Sequence, residues 1–114
     1  MANEKTVYLS GPITNMPQNN YKEFAFAQAK IQSLGYTVIN PHDLFNGVDT
    51  KDFTHDDYMR CCIVAMMNAD IIVTLHGWED SIGAVMEVSI ARTMKSFTVI
   101  HIVSFLNNTI HAGN

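Results

Sequence analysis

Five consecutive residues, Ile71-Ile72-Val73-Thr74-Leu75, form a nearly unbroken apolar run. A strand with one wet face alternates apolar and polar residues, so a continuous run describes a strand covered on both faces, the state of a central strand in a parallel sheet. Similar short runs recur along the chain. Thr6-Val7-Tyr8-Leu9 stops at Ser10-Gly11-Pro12, Tyr36-Thr37-Val38-Ile39 stops at Asn40-Pro41, and 98–103 is a fourth run, also expected to be covered on both faces. Between them the apolar period changes to that of a helix. Phe24, Ala27, Ile31 and Leu34 follow a capping-box pattern at Asn20 and Glu23 and end at Gly35; Tyr58, Cys62, Ala65, Met66 and Ala69 follow Thr54 and Asp57. A third helix is expected from near Ser81, and Leu44 to Phe53 reads as a polar loop able to cover a cleft. Strands and helices in alternation, joined by short loops, predict a small three-layer α/β sandwich, Rossmann-like (flavodoxin-like), with a four- or five-stranded parallel sheet. The 114 residues suffice for one such domain over 1–114.

Charge removes some functions from consideration. The formal charge is -4, and the seven Lys and Arg are scattered singly, so no basic stripe exists to neutralise a nucleic-acid backbone. Hydrophobic residues make up 47% and charged residues 16%, a thin polar surface that predicts a homodimer or higher homo-oligomer. The adjacent Cys61 and Cys62 are too constrained for an ordinary disulfide and read as reduced, buried thiols of a cytoplasmic protein. No apolar run reaches the roughly 18 residues of a membrane span, and the polar start Met1 to Lys5 leads into the first strand. Neither His42 nor His76 has the partner spacing of a metal site, so neither metal nor cofactor is expected.

In open parallel sheets the ligand site lies beyond the carboxyl ends of the strands, where the strand order reverses. Those ends carry Ser10-Gly11-Pro12-Ile13-Thr14, Asn40-Pro41-His42 and His76-Gly77-Trp78, and the helix from Ser81 starts at the same rim. That helix contains the run Ile82-Gly83-Ala84-Val85-Met86-Glu87-Val88-Ser89-Ile90-Ala91, in which Glu87 alone is charged. One helical turn on either side of it lie Gly83-Ala84 and Ala91, a furrow of small side chains with room for a ligand. Burial raises a carboxyl pKa, and tuned carboxylates serve acid, base and nucleophile chemistry, although a narrow polar stripe facing water would explain the same residue. Gly11 and Gly83 suit close backbone approach to a ligand, and Trp78 suits base stacking or a lid or subunit contact. Asp70 reads as a cap on neighbouring backbone, and the seven methionines as core or interface filler.

The runs V-Y-L-S-G-P-I at 7–13, N-A-D-I-I-V at 68–73 and S-I-G-A-V-M-E at 81–87 resemble the nucleoside 2-deoxyribosyltransferase superfamily. The nearest likeness is to an uncharacterised branch found in bacteria and phages, and it spans roughly residues 6 to 102 as a single deoxyribosyltransferase-like domain. The resemblance implies that Glu87 attacks the anomeric carbon of a deoxyribosyl group, that Tyr8 lies near the sugar, and that water or a second base completes the cycle. The Ser81-x-Gly83 spacing is closer to the 2′-deoxynucleoside 5′-phosphate N-hydrolases, which implies a 5′-phosphate at Ser81 and the helix start. The chain departs from that pattern at two places. The family's aspartate, eight residues before the Asp70 position, is here Cys62, leaving Asp56 or Asp57 as the nearest carboxylates. The hydrolases' serine and arginine are replaced by Pro12 and Thr14, so charge would have to come from Arg60 or Lys22. The expected function is therefore an N-glycosidic hydrolase or transferase acting on a small nucleoside or nucleotide, most of all a 2′-deoxynucleoside 5′-monophosphate. The alternative is a nucleotide-binding sensor or sequestering module that has lost turnover through Cys62, and a third reading is cleavage of NAD or an ADP-ribose-like signal.

Overall fold

Alternate residues of the two central strands point to opposite faces, and each face is covered by helices. The computed structural model describes residues 5–112, with side chains through Asn108. Strand β1 (Thr6–Ser10) pairs in parallel with β2 (Thr37–Ile39) on one side and β3 (Ile71–Thr74) on the other, and β4 (Thr98–His101) pairs in parallel with β3. The order is β2-β1-β3-β4. Helix α1 (Tyr21–Ser33) links β1 to β2, α2 (His55–Met66) links β2 to β3, α3 (Ile82–Thr93) links β3 to β4, and α4 (Ile102–Ala112) follows β4.

Val7 and Leu9 of β1, with Ile71 and Val73 of β3, pack against Phe24, Ala27 and Ile31 of α1 and Phe105 of α4. Tyr8 and Ile72 point the other way, into a second core with Cys62 and Met66 of α2 and Ala91 of α3. The result is the expected small three-layer Rossmann-like α/β sandwich, whose sheet has four parallel strands among the described residues. The chain passes from β1 outward to β2 and then returns across β1 to β3, so the strand order reverses between β1 and β3.

Several local expectations are corrected. Asn20 does not form a capping box; it sits in the left-handed region (φ 62), and its side-chain amide donates to the Pro12 carbonyl at 2.9 Å. The segment from Leu44 is not simply polar loop, because Pro41–Phe45 forms a 3-10 turn and Phe45, Phe53 and Tyr58 meet edge to face. The fourth strand ends at His101, whose Nδ1 accepts from the Val103 N–H, and Ile102 begins α4. That strand is only partly buried: β4 lies at the sheet edge, Thr98 is exposed, and Val99 and Ile100 are half-buried against the two opposite cores. Cys61 is exposed, and only Cys62 is a buried thiol. Residues Met1 to Glu4 and part of the segment from Ser104 to Asn114, suggested by its small polar residues to reach a neighbour, lie outside the described residues. Among those described, no helix is long and apolar enough to cross a membrane.

Candidate functional site

Tyr8 and Ser10 are two residues apart on β1, so their side chains leave the same face of the sheet, the face that α3 covers. There they meet Glu87. The Tyr8 hydroxyl donates to Glu87 Oε2 at 2.6 Å, and the Ser10 hydroxyl donates to Oε1 at 2.8 Å. Tyr8 and Ser10 are fully buried, and Glu87 is 6% exposed. Burial pushes the Glu87 carboxyl above its ordinary value, while the two hydroxyl donors pull in the opposite direction by favouring the carboxylate. The Tyr8 phenol is pushed well above 10, first by burial and then by the Glu87 charge, so it remains a neutral donor. Cys62 on α2 shares the second core with the same phenol, and burial with the nearby Glu87 charge moves its thiol up to about 11.

Tyr8, Cys62 and Glu87 of this cluster lie at the floor of a cavity of about 690 Å³ that opens at the carboxyl ends of β1, β2 and β3, with Ser10 buried behind them. The floor is Tyr8, Cys62, Ala84 and Glu87; the walls include Gly11, Ile13, Thr14, Pro41 and His42 from the loops after β1 and β2. Ser81, Ile82 and Gly83 contribute the start of α3. Ser81 is its N-cap, accepting from the Ala84 N–H at 3.2 Å, and its hydroxyl proton remains available to a ligand. His42 stands edge-on to Phe24 (4.9 Å between ring centroids) and Tyr21 (5.7 Å), with Nε2 buried and unpartnered. Burial lowers its pKa, partly opposed by the Asn19 carbonyl and the Asp43 charge.

Other expected site residues stand elsewhere or act differently. Trp78 does not line the cavity; its ring faces the Arg92 guanidinium at 5.7 Å. Gly77 adopts φ 82 in the turn after β3, and Pro12 supplies its carbonyl to Asn20. A methyl group on Gly11 would approach Leu75 Cβ to 2.9 Å, so this glycine is required by packing, although its backbone lines the cavity. At Gly83 the missing side chain makes room for Met59, whose Sδ would be 3.0 Å from a Cβ. Asp57 closes a capping box with Thr54, accepting from the Thr54 N–H at 2.9 Å, and the backbone bond holds its carboxyl below the usual range. Arg60 is exposed and outside the cavity, and Lys22 lines a separate shallow depression. Asp70 caps the Thr6 N–H at 2.9 Å, as its position suggested.

Sequence reasoning missed His55, Tyr58 and Met59, which line the cavity with Cys62. Their spacing of three, four and seven residues along α2 places them on one face, a signal visible in the sequence. Asn15 and Asn19, also in the wall, have positive φ (66 and 54), a conformation asparagine tolerates better than most residues. Among the described residues no group of three or more His, Cys, Asp or Glu side chains is arranged to hold a metal ion.

A family model described as a domain of unknown function, DUF4406, matches residues 5–101. The chain belongs to the DUF4406 family. The match runs from β1 through β4, includes every residue of the Glu87 cluster, and ends where α4 begins. Comparison with curated proteins finds none that matches.

Proposed function

We propose that this DUF4406 chain cleaves or exchanges the N-glycosidic bond of a small nucleoside or nucleotide, with Glu87 as nucleophile. The supporting observation is a buried carboxylate at a cavity floor, fixed by a phenol at 2.6 Å and a hydroxyl at 2.8 Å. Each donor takes one lone pair of a carboxylate oxygen, so the other lone pairs remain for an electrophile above the floor. Rupture of an N-glycosidic bond develops positive charge on the sugar; a carboxylate beneath it stabilises that charge and captures the anomeric carbon. Attack forms a glycosyl ester as the base departs, and water or a second base displaces Glu87 in turn. The resemblance to the deoxyribosyltransferase superfamily supports the same role.

A 2′-deoxynucleoside 5′-monophosphate is the specific form proposed from that resemblance. Its phosphate would meet the N–H groups of Ile82 and Gly83 at the start of α3, which the Ser81 cap does not use. No Lys or Arg lines the cavity among the described residues, so phosphate contacts there come from backbone and neutral side chains. The proposal extends to a cytoplasmic homodimer or higher homo-oligomer, since Val64 (66%), Ile82 (78%) and Met86 (45%) leave apolar surface exposed on α2 and α3.

One observation favours a second reading, a nucleotide-binding module without turnover: Cys62, a poor proton donor with its thiol pushed up to about 11, stands beside Tyr8 and Glu87. Base release, followed by chromatography from deoxynucleosides and from ribo- and deoxynucleoside 5′-monophosphates, distinguishes the two. Wild type releases base and Glu87→Gln, which preserves side-chain shape, does not. Equal release by both proteins refutes the nucleophile, and tight binding without release establishes the module.

A further inference from the structure

Departure of a neutral base from a sugar is helped by a proton delivered to that base, and a positioned general acid typically contributes about 10²–10⁴-fold. The groups around Glu87 are poorly suited to deliver one. The Tyr8 and Ser10 hydroxyl protons are both directed at Glu87. Cys62 offers only a weakly acidic thiol. His55 lies seven residues before Cys62 on α2, about 10 Å along the helix axis at 1.5 Å per residue, and is exposed. His42 is held between the Tyr21 and Phe24 rings, and burial favours its neutral form. Asp80 is exposed before the first turn of α3, away from the floor.

Charge in the cavity points the same way. Its described lining contains two carboxylates, Asp80 and Glu87, and neither Lys nor Arg. Phe45 and Tyr58, 5.0 Å apart between centroids, add aromatic rings to the wall above Cys62, and aromatic faces attract cations. We propose that the substrate class of this site is an N-glycoside whose base already carries a positive charge, such as an N-alkylated purine or a pyridinium nucleoside. The proposal rests on the glycosidic reading above. A Glu87 oxygen forms a bond to the anomeric carbon while the carbon–nitrogen bond breaks; its electron pair cancels the positive charge of the base, which leaves neutral without taking a proton. Water then attacks the glycosyl ester, Glu87 departs as carboxylate, and the proton lost by water passes to solvent. One proton is released per turnover of a cationic nucleoside.

The test compares 7-methyl-2′-deoxyguanosine and nicotinamide riboside with 2′-deoxyguanosine and uridine, using wild type and Glu87→Gln, with chromatography of the base and proton release in weak buffer. Rates without protein are subtracted. Glu87-dependent kcat/KM is expected to be at least about 10²-fold higher for the cationic member of each comparison, the factor an absent acid withholds from the neutral one. Cys62→Asp, which places a carboxyl beside Tyr8, is expected to narrow that ratio by raising release from the neutral nucleosides. Glu87-dependent release from neutral nucleosides with a smaller preference overturns the charged-base proposal and leaves the glycosidic reading standing. Absence of Glu87-dependent release from every compound overturns the charged-base proposal, and the same silence from the ribo- and deoxynucleoside 5′-monophosphates overturns the glycosidic reading as well.

Discussion

Replacing Tyr8 by Phe removes one hydroxyl from a fully buried position and breaks the 2.6 Å bond to Glu87 Oε2. The cost depends on the protonation of Glu87. A bond between two neutral groups contributes about 0.5–1.5 kcal/mol, and one to an ionised group about 1.5–3 kcal/mol. Burial holds the folded-state pKa of Glu87 above the ordinary 4.5, so between 4.5 and that higher value the folded chain binds more protons than the unfolded chain. This group's contribution to stability therefore falls as pH rises through that window. Because the Tyr8 bond opposes the upward shift, Tyr8→Phe raises the folded value further and enlarges the loss. The expected destabilisation is about 1 kcal/mol at pH 4, where the carboxyl is mostly protonated in both states, and about 2 kcal/mol at pH 8. Urea unfolding of both proteins at the two pH values, followed by fluorescence of Trp78, measures the difference. A pH-independent penalty, or one larger at pH 4, would refute the assignment of this hydroxyl as a donor to a titrating carboxylate. In an active protein the acidic limb of the pH–rate profile moves to higher pH in the same variant.

Alkylation at pH 8 is expected to label exposed Cys61 in the folded protein, while Cys62, buried with its thiol pushed up to about 11, reacts only after denaturation; mass spectrometry of the cysteine peptide reads this directly. Gly11→Ala is expected to destabilise by about 1–3 kcal/mol, because its Cβ would lie 2.9 Å from Leu75 Cβ, and the loss is measured by chemical denaturation.

The architecture was legible because central strands record burial in composition. Ile71-Ile72-Val73 is apolar on both faces, and the structure buries both. β4 has the same apolar character but occupies an edge, and strand order is a non-local property that a run of six residues does not encode. α4 was missed for a local reason. Ile102, Phe105 and Leu106 are spaced for a helix, but Ile102 and Val103 also extend the preceding β-rich run, and the change of period occurs at His101, where a side chain caps the turn.

Within the site, the isolation of Glu87 among small residues was visible, whereas the meaning of that isolation depended on another element. Helical period brings Ala84, Glu87, Val88 and Ala91 to one buried face, and strand period gives Tyr8 and Ser10 a common face. Neither period states which helix covers which strand. Ser10 was therefore expected to contact substrate from a loop, although it is the last residue of β1 and donates to Glu87. Trp78 was expected to stack on a base or to serve as a lid or subunit contact, and the turn at Gly77 is followed by a ring turned toward Arg92. The same long-range pairing makes Cys62 consequential. On its helix it reads as a core thiol, while the fold sets it beside Tyr8 and Glu87 in the cavity, where, on the proposed glycosidic reading, a proton donor would serve the leaving base. A chain with a carboxylate supported for attack and no neighbouring acid is suited to leaving groups that need no proton, which links this one substitution to a testable choice of substrate.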